Sequence, residues 1–430
     1  MKLKFIPLLL VGSLSSGISY SQKTVSLGDC YDLAMKKSAL SGEADVYSSI
    51  SGLNDKNLKS GWLPSLDANA SALYNSDVVD LAKNMAALPA LAKAISPMPH
   101  DQYKITLDIN QVIYDGGAIK KGRELEKIDQ NLNRKQTETD MYRLRDQVNL
   151  YFFSIMLLDR QREILESFRS LLSKRIMSMQ SAISNGTLLK ADEDILESEK
   201  IKTDQQLLEN SLKRGSFIKV LSDLTGEKFD SSTVLVAPVS SENPALELKR
   251  PELQLYDLRK DKLGAAADLE QTKRMPRAFG FATFGYGKPP GQDFFKNSFG
   301  TYYVVGGGIK WNIFDWNHVK NQKQVISLQQ GIIDERKKDL EDNLRRQLEL
   351  KKSEIASLNA LIGTDAVQVA LRKKISASAE SKLNNGVITS TEYLNELNSE
   401  QQAEINSEIH KINLALAKVE YLNISGNDIK

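Results

Sequence analysis

Tyr103-Lys104-Ile105-Thr106-Leu107-Asp108-Ile109-Asn110 alternates an apolar with a polar side chain at every step. A period of two puts the four apolar residues on one face of a β-strand and the four polar residues on the other. Two hundred residues later the apolar face returns as Tyr303, Val305, Gly307, Ile309 and Trp311. An earlier run, Leu66, Ala68, Ala70, Ala72 and Tyr74 with Asp67, Asn69 and Ser71 between, predicts a partner strand; Arg277 to Gly287, rich in Phe, Gly and Tyr, predicts its counterpart. Strands of about ten residues are long enough to cross a bilayer at a tilt. Four of them cannot close a barrel, and an open sheet edge finds no hydrogen-bond partner in lipid. Three copies would supply about twelve strands, within the range of known barrels. On that reading Tyr103, Ile105, Leu107, Ile109, Tyr303, Val305, Ile309 and Trp311 face lipid, while Lys104, Thr106, Asp108 and Asn110 face a wet lumen. Tyr74, Tyr302, Tyr303 and Trp311 are the residue types of an aromatic girdle.

The offset of 200 recurs outside the strands. Val112-Ile113-Tyr114-Asp115 matches Asn312-Ile313-Phe314-Asp315, Asn185-Gly186-Thr187 matches Asn385-Gly386-Val387, and Leu224-Thr225-Gly226 matches Ile424-Ser425-Gly426. Upstream, Trp62-Leu63-Pro64 matches Arg274-Met275-Pro276 at an offset of 212, so the first half carries an insertion around Asp77 to Pro99. The organisation expected is a signal peptide at 1–21, repeat 1 at 22–230, a linker at 231–246 and repeat 2 at 247–430. Between the strands and the Asn-Gly turns the sequence predicts very long helices. Residues 116–182 contain no Pro, and Leu144, Tyr151, Leu158, Leu165, Leu172 and Met179 recur every seventh residue; Leu348, Ile355, Ile362 and Val369 do the same. Sustained heptads point to coiled-coil packing. A helix of some sixty-five residues would be about 100 Å long. Asn385-Gly386 suits the left-handed residue that ends a helix, and Asp115 and Asp315 suit helix N-caps.

The chain has 430 residues, 57 Lys+Arg against 55 Asp+Glu, and a net charge of +2, which argues against nucleic acid as a partner. The mean hydropathy of −0.35 is too low for a bundle of membrane helices. One cysteine, Cys30, excludes an internal disulfide framework, and His100, His318 and His410 lack ligand spacing, so no cofactor or metal is expected. Lys2 and Lys4 before the apolar run Phe5 to Val11, with Ser19-Tyr20-Ser21 beyond, read as an export signal. No nucleophile has a neighbouring His and no Walker loop is present, so an enzyme is not expected.

The order of helix, strand pair, long helix, Asn-Gly turn and returning helix, repeated once, resembles the outer-membrane efflux protein family, whose best-known member is TolC. Leu27 to Ala34, Gly61-Trp62-Leu63-Pro64-Ser65-Leu66, Val112 to Gly117, Asn312 to Asp315 and both Asn-Gly turns carry the resemblance, which covers the mature chain. It implies a mainly α fold with a minor transmembrane β part. Four strands per chain would contribute to a trimeric 12-strand outer-membrane β-barrel, and the long coiled-coil helices would form a periplasmic α-barrel. It further implies a homotrimer in the outer membrane of a Gram-negative bacterium, in contact with outer-membrane lipid. Its partners would be a periplasmic adaptor (membrane fusion) protein and an inner-membrane RND, ABC or MFS transporter, for efflux or type I secretion. In such proteins carboxylates beyond the second Gly turn ring the periplasmic entrance. Glu392 falls at the first such position, Asn395 at the second where an acid is the pattern, and Asp192 at the equivalent place in repeat 1. Thr389-Ser390-Thr391-Glu392 reads equally as a capping box. The alternative function is a soluble periplasmic coiled-coil adaptor or scaffold, which leaves four strands of membrane-crossing length without a purpose.

Overall fold

The computed structural model describes residues 24–80, 97–184, 189–230, 232–238, 247–294 and 296–428. The export signal, positions 81–96 of the insertion, the Asn185-Gly186 turn and most of the linker lie outside the described residues. In chain order the elements are β1 (Thr24–Ser26), α1 (Leu27–Lys37), α2 (Glu43–Ser60), β2 (Ser65–Tyr74), β3 (Asp101–Tyr114), α3 (Ala118–Tyr142), α4 (Leu144–Ser184), α5 (Lys190–Thr225), β4 (Val234–Val236), α6 (Pro251–Gln271), β5 (Arg277–Lys288), β6 (Gly300–Lys310), α7 (His318–Asn384) and α8 (Ser390–Ser425). Among the described residues no helix is long and apolar enough to cross a membrane.

The chain packs as two units that cut across the sequence repeats. One holds residues 1–38, 143–246 and 348–430; the other holds 39–142 and 247–347. The first unit is helical. Its core joins α1 (Leu27, Cys30, Tyr31, Ala34), α4 (Val148, Phe152, Phe153, Ile155), α5 (Ile218, Leu221) and α8 (Ile412, Val419). A second cluster sits around Phe168, Leu172, Ile176, Leu196, Ala379 and Tyr393. Four members of the α4 heptad row, Leu158, Leu165, Leu172 and Met179, are nearly solvent-free, while Leu144 and Tyr151 are half-buried. Tyr31 links three elements, donating its hydroxyl to Asn149 and accepting from Asn423 Nδ2 at 3.2 Å.

The second unit holds the four long strands together with α2, α3, α6 and the first part of α7. Lys262 pairs with Asp129, and Arg259 Nη2 donates to Gln136 Oε1 at 3.2 Å, so polar side chains tie α6 to α3. Each strand pair hands over to its long helix through the same device. The Asp115 carboxylate accepts from the backbone N–H of Gly117 at 2.8 Å and from Ile119, and Asp315 Oδ2 accepts from Val319 at 3.1 Å. The turns after them share positive φ, +72° and +88° at Gly116-Gly117 and 53° and 62° at Trp316-Asn317. The duplication therefore extends to backbone geometry.

One expectation is corrected. The first long helix is not continuous over 116–182: it breaks at Arg143, where neither Pro nor Gly stands, at the boundary between the two packing units. In repeat 2 the corresponding helix, α7, runs unbroken for 67 residues, about 100 Å at 1.5 Å per residue.

Candidate functional site: the sheet faces and the hairpin tip

The four long strands form one sheet in the order β2-β3-β5-β6, antiparallel throughout. The centre is the β3–β5 pair, so the two repeats are joined strand to strand, and β2 and β6 each leave one edge open within the chain. Register defines the faces. On the first, Leu107 stands opposite Ala68 and Phe284, Ile105 opposite Ala70 and Tyr286, and Ile109 opposite Leu66 and Ala282. Tyr103 stands opposite Ala72 and Lys288. Tyr303, Val305 and Ile309 continue this face against Phe284, Ala282 and Ala278. Ile105, Tyr303 and Ile309 are 62%, 73% and 77% exposed, so the chain covers none of it with its own core.

The opposite face carries Lys104, Thr106, Asp108 and Asn110. Asp108 is its hub, accepting from Asn69 Nδ2 at 2.8 Å, Thr106 Oγ1 at 2.8 Å and Thr283 Oγ1 at 2.5 Å. Lys104 stands opposite Ser71 and Gly287, and Asn110 opposite Ser65 and Phe281. Tyr302 also lies here, opposite Gly285, so it does not share the face of Tyr303 and Tyr74; a period of two separates neighbouring tyrosines. Trp311 follows the last residue of β6, and its indole Nε1 donates to Arg274 O at 3.0 Å.

The tip of the second helical hairpin is built by local chemistry. Gly386 has φ +69°, its N–H donates to Leu383 O at 3.0 Å, and that of Val387 donates to Lys382 O at 2.9 Å. This is the Schellman pattern that glycine permits at a helix end. The returning helix opens on a complete capping box. Glu392 N–H donates to Thr389 Oγ1 at 3.2 Å, while the Glu392 carboxylate accepts from Thr389 N–H at 2.8 Å and from its hydroxyl at 3.0 Å. The Thr389 backbone N–H, then its hydroxyl, hold the Glu392 carboxyl below the usual carboxylate range. Glu392 and Asn395 are exposed one turn apart, while Tyr393, Leu394 and Leu397 of the same turns are buried. Asp192 lies in the first turn of α5, where the N-cap, Leu189, supplies no side-chain bond. There the engaged acid is Glu193, which accepts from Lys190 and from Gln180 Nε2 at 2.9 Å; Lys190, then Gln180, pull its carboxyl down. No interaction joins Asp192 to Glu392 or Asn395 among the described residues.

A feature of the hairpins escaped the sequence reading. The apolar row Tyr151, Leu158, Leu165, Leu172 and Met179 of α4 corresponds, at the offset of 200, to Lys351, Leu358, Asp365, Arg372 and Ala379 of α7. The three charged members reach α8: Lys351 to Glu420 at 2.6 Å, Asp365 Oδ2 to His410 Nδ1 at 2.7 Å, and Arg372 to Glu396 at 3.3 Å. Leucine packing in one hairpin is thus replaced by ion pairing in the other, and superposing the two heptad rows would have revealed it. Among the described residues no three His, Cys, Asp or Glu gather as a metal site.

No protein-family model matches the sequence, and no curated protein matches it. Solved structures do. The Campylobacter jejuni CmeC outer membrane channel matches with a TM-score of 0.65 at 14% identity, over 100% of this chain and 95% of that chain. The outer membrane protein VceC of Vibrio cholerae matches at 0.66 and 13%, over 94% and 97%. The Neisseria gonorrhoeae MtrE outer membrane channel, in its open state, matches at 0.63 and 14%, over 93% and 89%. Likeness at such identities concerns the fold: this chain has the mainly helical, TolC-like fold of those channels, with a small β part.

Proposed function

We propose that three copies of this chain form a passive outer-membrane channel for tripartite efflux or type I secretion. A periplasmic adaptor and an inner-membrane RND, ABC or MFS transporter supply its cargo. The observation that carries this reading is the sheet: four strands of membrane-crossing length, one face apolar and exposed, the other polar, with both edges open. Open edges need strands of other copies, since lipid offers the backbone no hydrogen bonds. The exposed apolar face then meets lipid, with Tyr103, Ile105, Leu107, Ile109, Tyr303, Val305 and Ile309 on it, while Lys104, Thr106, Asp108 and Asn110 line the lumen. Trp311 sits where the membrane ends.

The helices support assembly in the same way. Ile201, Leu208 and Leu212 of α5 and Val367, Leu371 and Ile375 of α7 are large apolar residues left exposed within one chain. Two different apolar surfaces on one molecule suit head-to-tail contacts that close a ring. In the assembled tube Glu392, Asn395 and Asp192 lie near the periplasmic entrance, where three copies of an acid favour cations. Capping by Thr389 and gating by Glu392 are compatible roles, because the cap occupies one carboxylate oxygen.

The test is fractionation followed by electrophoresis and bilayer recording. A channel sediments with outer membranes, migrates as a trimer until boiled, and conducts when reconstituted. A monomer released by osmotic shock refutes the reading.

A further inference from the structure

Arg277 of β5 and Lys310 of β6 stand directly opposite each other. Like charges in that position oppose strand pairing. Both are exposed, and neither forms an ion pair among the described residues. The same pair in repeat 1, at offsets of 212 and 200, is Ser65 opposite Asn110, which are neutral. The fold therefore does not require charge here. Repeat 2 carries two cations here, and no acidic side chain pairs with either among the described residues.

Register places both on the face of Asp108 rather than on the apolar face. The next two residues on that face of β5 are Phe279 and Phe281, about 7 and 13 Å along the strand. On β3 they stand opposite Val112 and Asn110. Each ring lies across a glycine of β6: a Cβ on Gly308 would come within 2.7 Å of Phe279 Cζ, and one on Gly306 within 2.6 Å of Phe281 Cζ. The two ring centroids are 6.4 Å apart and tilted by 32°. Over these glycines Phe279 is 38% exposed and Phe281 half-buried. Beyond them, at Thr283, the Asp108 carboxylate stands opposite Asp67 on the same face, and Lys104 follows further along.

We propose that this face carries a binding site for amphipathic organic anions. Arg277 and Lys310 take the carboxylate, sulfonate or phosphate group, and the Phe279 and Phe281 rings take the apolar body. The proposal rests on the reading that this face lines the lumen of a channel. Three copies then present six cations as a belt around the pore, the arrangement that draws anions into it. Charge and ring are both needed. Cations alone would select any anion, and the rings alone any apolar solute. The Asp67–Asp108 pair beyond the rings repels the head group and so orients the bound molecule.

The experiment is single-channel recording of the reconstituted full-length trimer with naphthalene-2-sulfonate as probe, and inorganic sulfate as the anion without a ring. Naphthalene-2-sulfonate should block the wild-type channel at a concentration at least tenfold below that of sulfate. Arg277→Gln with Lys310→Gln should raise that blocking concentration at least fivefold and shift the reversal potential in a salt gradient toward cation preference. Phe279→Ala with Phe281→Ala should weaken block by naphthalene-2-sulfonate and leave that by sulfate unaltered. Arg277→Lys, which keeps the charge, should retain block. Should the double glutamine variant not assemble, Arg277→Gln and Lys310→Gln singly are read the same way. A conducting wild type whose block and selectivity are indifferent to Arg277 and Lys310 overturns this proposal alone. A wild type that forms no conducting trimer overturns the channel reading and this proposal with it.

Discussion

Leu107 and Thr106 are neighbours in the chain and opposites in the sheet, so the same substitution at each isolates the assignment of faces. Leu107 lies near the middle of β3, between Ala68 and Phe284 on the apolar face. A lysine at the midplane of the lipid face of a barrel costs about 2–4 kcal/mol. Three copies multiply this to roughly 6–12 kcal/mol per trimer, comparable with the whole folding stability of a typical domain, about 5–15 kcal/mol. Leu107→Lys should therefore abolish insertion. Thr106→Lys forfeits the hydroxyl bond to Asp108, 2.8 Å long, but sets an ammonium beside that carboxylate, which Asn69 and Thr283 continue to hold. Its net effect on insertion should be small. The assay is folding of denatured protein into phosphatidylcholine vesicles, followed by the shift between boiled and unboiled electrophoretic bands across a urea titration. Equal loss for both variants, or normal folding of Leu107→Lys, would refute the assignment of the faces and the membrane reading behind it.

Three other outcomes are expected. Burial, reinforced by Asp29, pushes the Cys30 thiol up to about 12, so Cys30 should ignore Ellman's reagent in the native protein and react once guanidinium unfolds it; above its ordinary value of 9.0 the unfolded chain ionises first, so alkali should favour unfolding. Arg123, then Lys59, lower the Asp55 carboxyl from 3.8 to about 2, so its contribution to stability is complete above 3.8 and is lost as pH falls through that window. Asp55→Asn should accordingly flatten the acid limb of the thermal melting profile, whereas an unchanged limb would show that the pairing with Arg123 is immaterial. At Gly386 nothing lies within 4 Å of a Cβ, so Gly386→Val should meet only the backbone penalty of a left-handed residue, about 1–2 kcal/mol, and Gly386→Asn much less. Limited proteolysis at the hairpin tip should rank them in that order.

Most of the fold was legible because it depends on local periodicity. The alternation over Tyr103 to Asn110 fixed a two-faced strand before any partner was known, since successive side chains on an extended backbone point to opposite sides. The heptads of α4 foretold four of the residues that are buried, Leu158, Leu165, Leu172 and Met179, but not Val148, Phe152, Phe153 and Ile155. Asp115, Asp315 and the Thr389–Glu392 box read as caps because their partners lie within four residues. The break at Arg143 carried no Pro or Gly to announce it. Tyr302 was grouped with Tyr303 by residue type, although their parity along β6 separates them.

Contacts between residues far apart in sequence could not be read in this way. Nothing in the linear order says that β3 pairs with β5 rather than with a strand of its own repeat alone, because either pairing satisfies the same alternation. Nor does it say that Lys351, Asp365 and Arg372 find Glu420, His410 and Glu396 on α8, since a charge in a heptad row is ordinary on a solvated face until a partner is placed against it. Composition, period and duplication determined which elements exist and which sides of them are apolar. Register and packing decided which residues meet, and so placed Arg277 opposite Lys310 and both beside Phe279. Periodicity is written in the spacing of neighbours; pairing arises only when distant segments compete for the same backbone hydrogen bonds and the same buried volume.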